Sequence, residues 1–189
     1  MSAESTGSEH PYAGTPDDGS TTRVSFSVAT RAAFCDRVVD RLRRGLPADL
    51  RTFHAKPGFQ LLKISFANER VHYEVGIDVE RARLEIALHF EDGPLSTAAY
   101  LALIDRSLVE IKHDLGWSIE LERWTVSWGR LYEHRPVTKL DRAAADEAAE
   151  RLAALVTVLQ PIIESAHVPP ERSAQPASQQ RSRWKRASR

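Results

Sequence analysis

Cysteine and methionine are almost absent, with one of each, Cys35 and Met1, among 189 residues. A lone cysteine excludes an intrachain disulfide, and its apolar neighbours in a predicted helix point to a buried thiol rather than a nucleophile. No apolar run approaches the roughly 18 residues a membrane-spanning helix needs. The N-terminus has neither a basic stretch followed by an apolar one nor any other secretory pattern, so a cytoplasmic protein with no membrane partner is expected. GxGxxG, the P-loop, CxxC, HExxH and GxSxG are all missing, which removes the best-known phosphate, metal and nucleophile motifs and implies no cofactor. The nearest approach to a nuclease strand, Glu120-Leu121-Glu122-Arg123, lacks the lysine such a core asks for.

Net charge is also absent, since 26 Lys and Arg balance 26 Asp and Glu, but the balance hides an asymmetry. Residues 1–22 carry Glu4, Glu9, Asp17 and Asp18 with no Lys or Arg, whereas residues 168–189 carry Arg172, Arg181, Arg183, Lys185, Arg186 and Arg189 against Glu171. Both ends are rich in Ser, Pro, Gln and Gly and have no periodic apolar residues. They are expected to be disordered tails around one folded unit, residues 23–167, because they cannot bury enough surface to offset the entropy of ordering. In the basic tail, Arg181, Arg183, Trp184, Lys185 and Arg186 place one aromatic among cations, a composition that can neutralise phosphates and stack a base.

The folded unit is organised around residues 71–91. Val71, Tyr73, Val75, Ile77 and Val79 alternate with polar residues, and Leu84, Ile86, Leu88 and Phe90 alternate with Glu85, Ala87, His89 and Glu91. Period-2 alternation gives each strand one apolar and one polar face, and the short break makes a β-hairpin. With Arg81 and Ala82 as the loop, Ile77 faces Ile86, Glu74 faces His89, and Asp78 stands opposite Glu85, a like-charge pair that needs Arg83, water or a cation nearby.

Around this hairpin the sequence predicts a short strand over 23–28, then a helix capped by Thr30, with Phe34, Val38 or Val39, Leu42 and Leu46 inward and Gly45 ending it in the left-handed region. Its other side, with Arg31, Arg37, Arg41, Arg43 and Arg44, is read as solvated. A strand at 60–66 precedes the hairpin. Glu91-Asp92-Gly93-Pro94 follows it as a turn, and a helix carries Leu101, Ile104, Leu108, Ile111 and Leu115 to Gly116. Strands near 119–122 and 128–135 come next, and a final helix starts at Asp141 and is expected to kink or break at Pro161. This order implies an α+β fold, an antiparallel sheet of about five strands with helices packed on one face.

Two chemistries come from these residues. The polar hairpin face, His72, Glu74, Asp78, Glu85 and His89, offers ligands for a divalent metal and hence a metal-dependent hydrolase of nucleic acid or a small phosphate ester. The same face as ordinary solvated surface leaves a non-enzymatic binding or adaptor domain, the preferred reading. Trp117, Trp124 and Trp128 fall within twelve positions, and core packing is expected for at least two of the four tryptophans, with a stacking platform or a sticky interface as the alternative.

The YEV strand from Tyr73, the RLEIALHFE strand, the helix ending in IKHDLGW, IELERW and the GRLYE strand together resemble an uncharacterised bacterial domain family sometimes found beside restriction-modification proteins. The resemblance covers about a third of the chain. It implies the same fold and a nucleic-acid-related setting and brings no catalytic set; from the chain as a whole, nucleic acid or another protein is the expected partner.

Overall fold

The computed structural model describes residues 26–171. Helix α1 runs from Val28 to Gly45. A 3-10 turn, Ala48–Leu50, leads into β1 (His54–Pro57) and β2 (Leu61–Ser65). The central hairpin is β3 (Val71–Asp78) and β4 (Arg83–Phe90). Helices α2 (Pro94–Arg106) and α3 (Leu108–Leu115) follow, then β5 (Glu120–Arg123), β6 (Gly129–Pro136) and α4 (Arg142–Ser165). The six strands form one antiparallel sheet in the order β1-β2-β3-β4-β6-β5, and the fold is α+β.

The hydrophobic pattern explains which face the helices cover. Leu62 and Ile64 of β2, Val71, Tyr73, Val75 and Ile77 of β3, Leu84, Ile86, Leu88 and Phe90 of β4, and Leu131 of β6 are buried in one core with Leu152, Leu155, Val156 and Leu159 of α4. A fully buried aliphatic or aromatic side chain contributes about 1.5–3 kcal/mol, so this face supplies most of the drive to fold. Buried Tyr73 anchors α4 to the sheet by donating its hydroxyl to Gln160 Oε1 at 3.2 Å. Glu133, also on this face, is completely buried and accepts from Arg151 of α4 at 3.0 Å and from Arg135 and Ser118 at 3.2 Å each.

Several local expectations are corrected. Val28 opens α1 rather than closing a strand, because Ser27, not Thr30, caps the helix: its Oγ accepts the Thr30 amide at 3.0 Å. Gly45 is the last helical residue and Leu46 is extended, so the left-handed glycines are Gly93 and Gly116 instead. Arg37 and Arg41 do not simply face water; they pair with Asp146 of α4 at 2.7 and 3.2 Å and join the two helices. The helix expected through Leu115 breaks at Ser107, which sits at φ −111° and ψ 14°. It also begins earlier, at Pro94, where proline costs no hydrogen bond in the first turn. Helix α4 continues through Pro161, whose ring faces outward on the exposed side.

The hairpin register differs by two residues. Ile77 pairs with Leu84, Val75 with Ile86, and Asp78 with Arg83, so the loop is Val79–Ala82. Asp78 accepts the Arg81 amide at 3.1 Å and Ala82 takes φ 48°, which together close a four-residue turn. A two-residue slip keeps every side chain on its own face, which is why the burial pattern could not distinguish the registers. The opposed Asp78 and Glu85 vanish with it.

Candidate functional site on the polar sheet face

The register lays the polar side chains out in rows across the strands. One row reads Ser65, His72, His89, Arg130 and Glu122; the next reads Lys63, Glu74, Ala87, Tyr132 and Glu120; a third reads Leu61, Gly76, Glu85 and His134. The first row is not solvated as expected. His72 and His89 are 1% and 4% exposed, because each imidazole lies between neighbours on both adjoining strands and on the rows beside it. Their rings stack with centroids 5.5 Å apart and planes 6° from parallel.

Charge is arranged around this pair. His72 Nδ1 lies 3.1 Å from the Glu69 carbonyl, and its Nε2 lies 3.5 Å from Glu74 Oε2. His89 Nε2 is 3.3 Å from Glu85 Oε1, and its Nδ1 is 3.9 Å from Glu91 Oε1. Lys63 reaches between Glu91 at 3.5 Å and Glu74 at 3.7 Å. Arg130 donates to Glu85 at 2.6 Å and twice to Glu122 at 2.8 and 3.0 Å, and its guanidinium lies 4.8 Å from the Trp124 ring and 4.1 Å from the Tyr132 ring. Such stacking with two ionic partners fixes the planar fork of an arginine far better than a lysine would be fixed.

Burial pushes the Glu74 carboxyl up, but its polar surroundings, the Lys63 ammonium among them, outweigh it and hold it below the ordinary glutamate range. Burial likewise raises Glu85, and the closeness of His89 and Arg130 brings it below its usual value. Asp78 is lowered against a burial effect by Arg81 and Arg83. Each of these carboxylates has a permanent cation beside it, Lys63 at Glu74, Arg130 at Glu85 and two arginines at Asp78, which favours the ionised form, a poor state for a general acid.

Of the five metal candidates, the structure gathers His72, Glu74, Glu85 and His89, and leaves Asp78 at the far end of the hairpin, held by Arg81 and Arg83 at 3.2 and 3.1 Å. Glu91 and Lys63 complete the constellation. Both escape sequence reading, Glu91 because it stands at the strand end where the turn signal begins, Lys63 because it comes from β2, whose register with the hairpin only the fold supplies. One nitrogen from each histidine and one Glu91 oxygen lie within 4.8 Å of one another.

Beside the first row a groove of about 500 Å³ opens over Gly76, lined by Leu61, Glu74, Asp78, Glu80, Glu85, His89, Trp124 and Arg130. A Cβ at Gly76 would meet Glu74 Oε1 and Glu85 Cβ at 3.6 Å, so the missing side chain leaves the floor open without a steric demand. Trp124 on the rim is 52% exposed, and Trp117 and Trp128 are 73% and 43% exposed, so the three described tryptophans lie outside the core against expectation. Trp124 and Trp128 flank the β5–β6 turn with rings 5.9 Å apart, held outward where Trp124 and Thr125 both donate to the Trp128 carbonyl at 3.0 Å.

Cys35 is buried, and burial followed by the Asp36 charge raises its thiol. Arg181, Arg183, Trp184, Lys185 and Arg186 lie outside the described residues. Among the described residues no helix is long and apolar enough to cross a membrane. No protein-family model and no curated protein matches this chain, so its functional reading rests on the geometry of this sheet face.

Proposed function

We propose that this domain is a non-enzymatic binding module that receives a segment bearing lysine or arginine from a partner protein along the polar sheet face. The observation that carries the reading is the groove over Gly76, lined by Glu74, Asp78, Glu80 and Glu85 and by Arg130, with exposed Trp124 on the rim. Carboxylates kept ionised beside an aromatic ring suit a long cationic side chain, whose charge meets the acids while its stem lies against the indole. Glu80, exposed at the hairpin turn, has no ionic partner among the described residues. The same ionised state suits recognition of a cation and counts against a general acid, because Glu74 and Glu85 are held in the form that does not donate a proton.

Titrating a labelled Lys-rich peptide into the full chain and following its anisotropy tests the reading. Binding should be micromolar at low salt and weaken as ionic strength rises, since the contacts are only partly buried. Trp124→Ala should lower the affinity about tenfold, as loss of an aromatic anchor does, while Trp117→Ala leaves it unchanged. Equal binding of Lys-rich and Glu-rich peptides, or an unaffected Trp124→Ala, would remove the groove from the account.

A further inference from the structure

We propose that His72, His89 and Glu91 form a binding site for a divalent transition metal of the zinc class, which ties β3 to β4 at one end of the polar face. The first reason is the donor set: two imidazole nitrogens and a carboxylate oxygen within 4.8 Å of one another, close enough for small side-chain rotations to bring all three onto one ion. Imidazole with carboxylate suits zinc and its neighbours and disfavours calcium or magnesium, which take oxygen donors.

The second reason is independent of the cluster. The Glu69 carbonyl can only accept, so the 3.1 Å contact assigns the proton of neutral His72 to Nδ1 and leaves a lone pair on Nε2. That atom is buried, and among the described residues no group makes an aligned hydrogen bond to it or to Nε2 of His89. Its nearest charged neighbour, Glu74 Oε2 at 3.5 Å, is another acceptor. Two buried imidazole nitrogens without an aligned partner, one of them carrying a lone pair beside a carboxylate, call for a positive charge nearby. With the two rings stacked 5.5 Å apart, one divalent ion can meet both of them and the carboxylate together. A backbone carbonyl holding the remote nitrogen of the imidazole is also the usual support of a ligating histidine.

Both histidines are more than nine-tenths buried, which fits an ion that holds strands together. Lys63 is the built-in competitor. Its ammonium sits 3.5 Å from Glu91 and 3.7 Å from Glu74, on a flexible stem that can swing to solvent when the ion enters. The site goes beyond the peptide groove and is tested without any peptide, so either reading can fail alone.

The experiment is a titration of the full chain with Co²⁺ as a coloured substitute, followed by displacement with Zn²⁺. One equivalent should bind with visible absorption bands of a low-symmetry nitrogen and oxygen centre, and Zn²⁺ should abolish them. His72→Gln and His89→Gln should each weaken binding at least about tenfold, Lys63→Met should tighten it severalfold, and the exposed-histidine variants His54→Gln and His113→Gln should leave it unchanged. Lys63→Met keeps both histidines and Glu91, so its response reads the site even if a histidine variant folds poorly. Absence of a stoichiometric Co²⁺ band, binding that survives the paired His72→Gln and His89→Gln changes, or Lys63→Met without effect would overturn the proposal.

Discussion

On the helix-covered face Glu133 is fully buried and its carboxylate is answered by Arg151, Arg135 and Ser118; on the opposite face His72 and His89 are buried almost as deeply, yet the Nε2 of each is left without an aligned partner. Both are polar groups taken out of water by the same sheet. The first is closed, with nothing left to bind. The second has unspent capacity, and it borders a groove with an exposed tryptophan. Completeness of partners, more than burial or charge, separates a group that holds the fold from one able to meet a ligand.

The largest expected effect comes from breaking the closed side. Arg151→Ala should cost about 3–5 kcal/mol in urea unfolding, because it leaves the Glu133 carboxylate buried without its main partner. A loss under about 1 kcal/mol would mean that Arg135 and Ser118 suffice and that the two faces differ less than the geometry says. Acid should act in the same direction. Burial raises the Glu133 carboxyl, but Arg151 and Arg135 bring it below its usual value, so the folded form binds its proton only at lower pH than the unfolded chain does. Its contribution to stability is therefore complete above the unfolded glutamate value of about 4.3 and is lost as pH falls through the folded value. Melting temperatures measured from neutral pH downward should drop below pH 4–5 for the natural chain, and that drop should be shallower for Glu133→Gln.

Smaller effects should come from the open face. His72→Phe in metal-free buffer should alter stability by no more than about 1 kcal/mol in either direction, since the ring volume stays and an unsatisfied buried nitrogen goes, while the carbonyl of the exposed residue Glu69 loses one partner. A loss of several kcal/mol would show that Nε2 has a protein partner after all. Asp78→Asn should matter least, at about 0–1 kcal/mol, because its arginine partners are substantially exposed.

The sequence made the two faces readable because burial enforces alternation in β3 and β4, and an error of two residues leaves alternation untouched. Register was hidden in the turn, where the Asp78 side chain and a positive φ at Ala82, not hydrophobicity, decide which residues face each other. With the wrong register Glu74 stood opposite His89, whereas the fold sets His72 there and makes the stacked pair. Four of the five metal candidates came together because they share one face. Lys63, Glu91 and Arg130 belong to other strands or to a strand end, and only the order of strands brings them in. Glu133 sits among apolar positions of β6 facing the helices, and its partner Arg151 is eighteen residues away in α4, a pairing that no local pattern signals. The outward tryptophans follow from the β5–β6 turn, whose paired amide bonds to the Trp128 carbonyl present them on its rim.

The most direct test of the contrast is the tautomer of His72, read from long-range proton–nitrogen correlation of the imidazoles in the metal-free full chain at neutral pH. The account predicts a proton on Nδ1, a bare Nε2, and a shift of Nε2 alone when one equivalent of Zn²⁺ is added. A proton found on Nε2, with no response of that nitrogen to Zn²⁺, would contradict it.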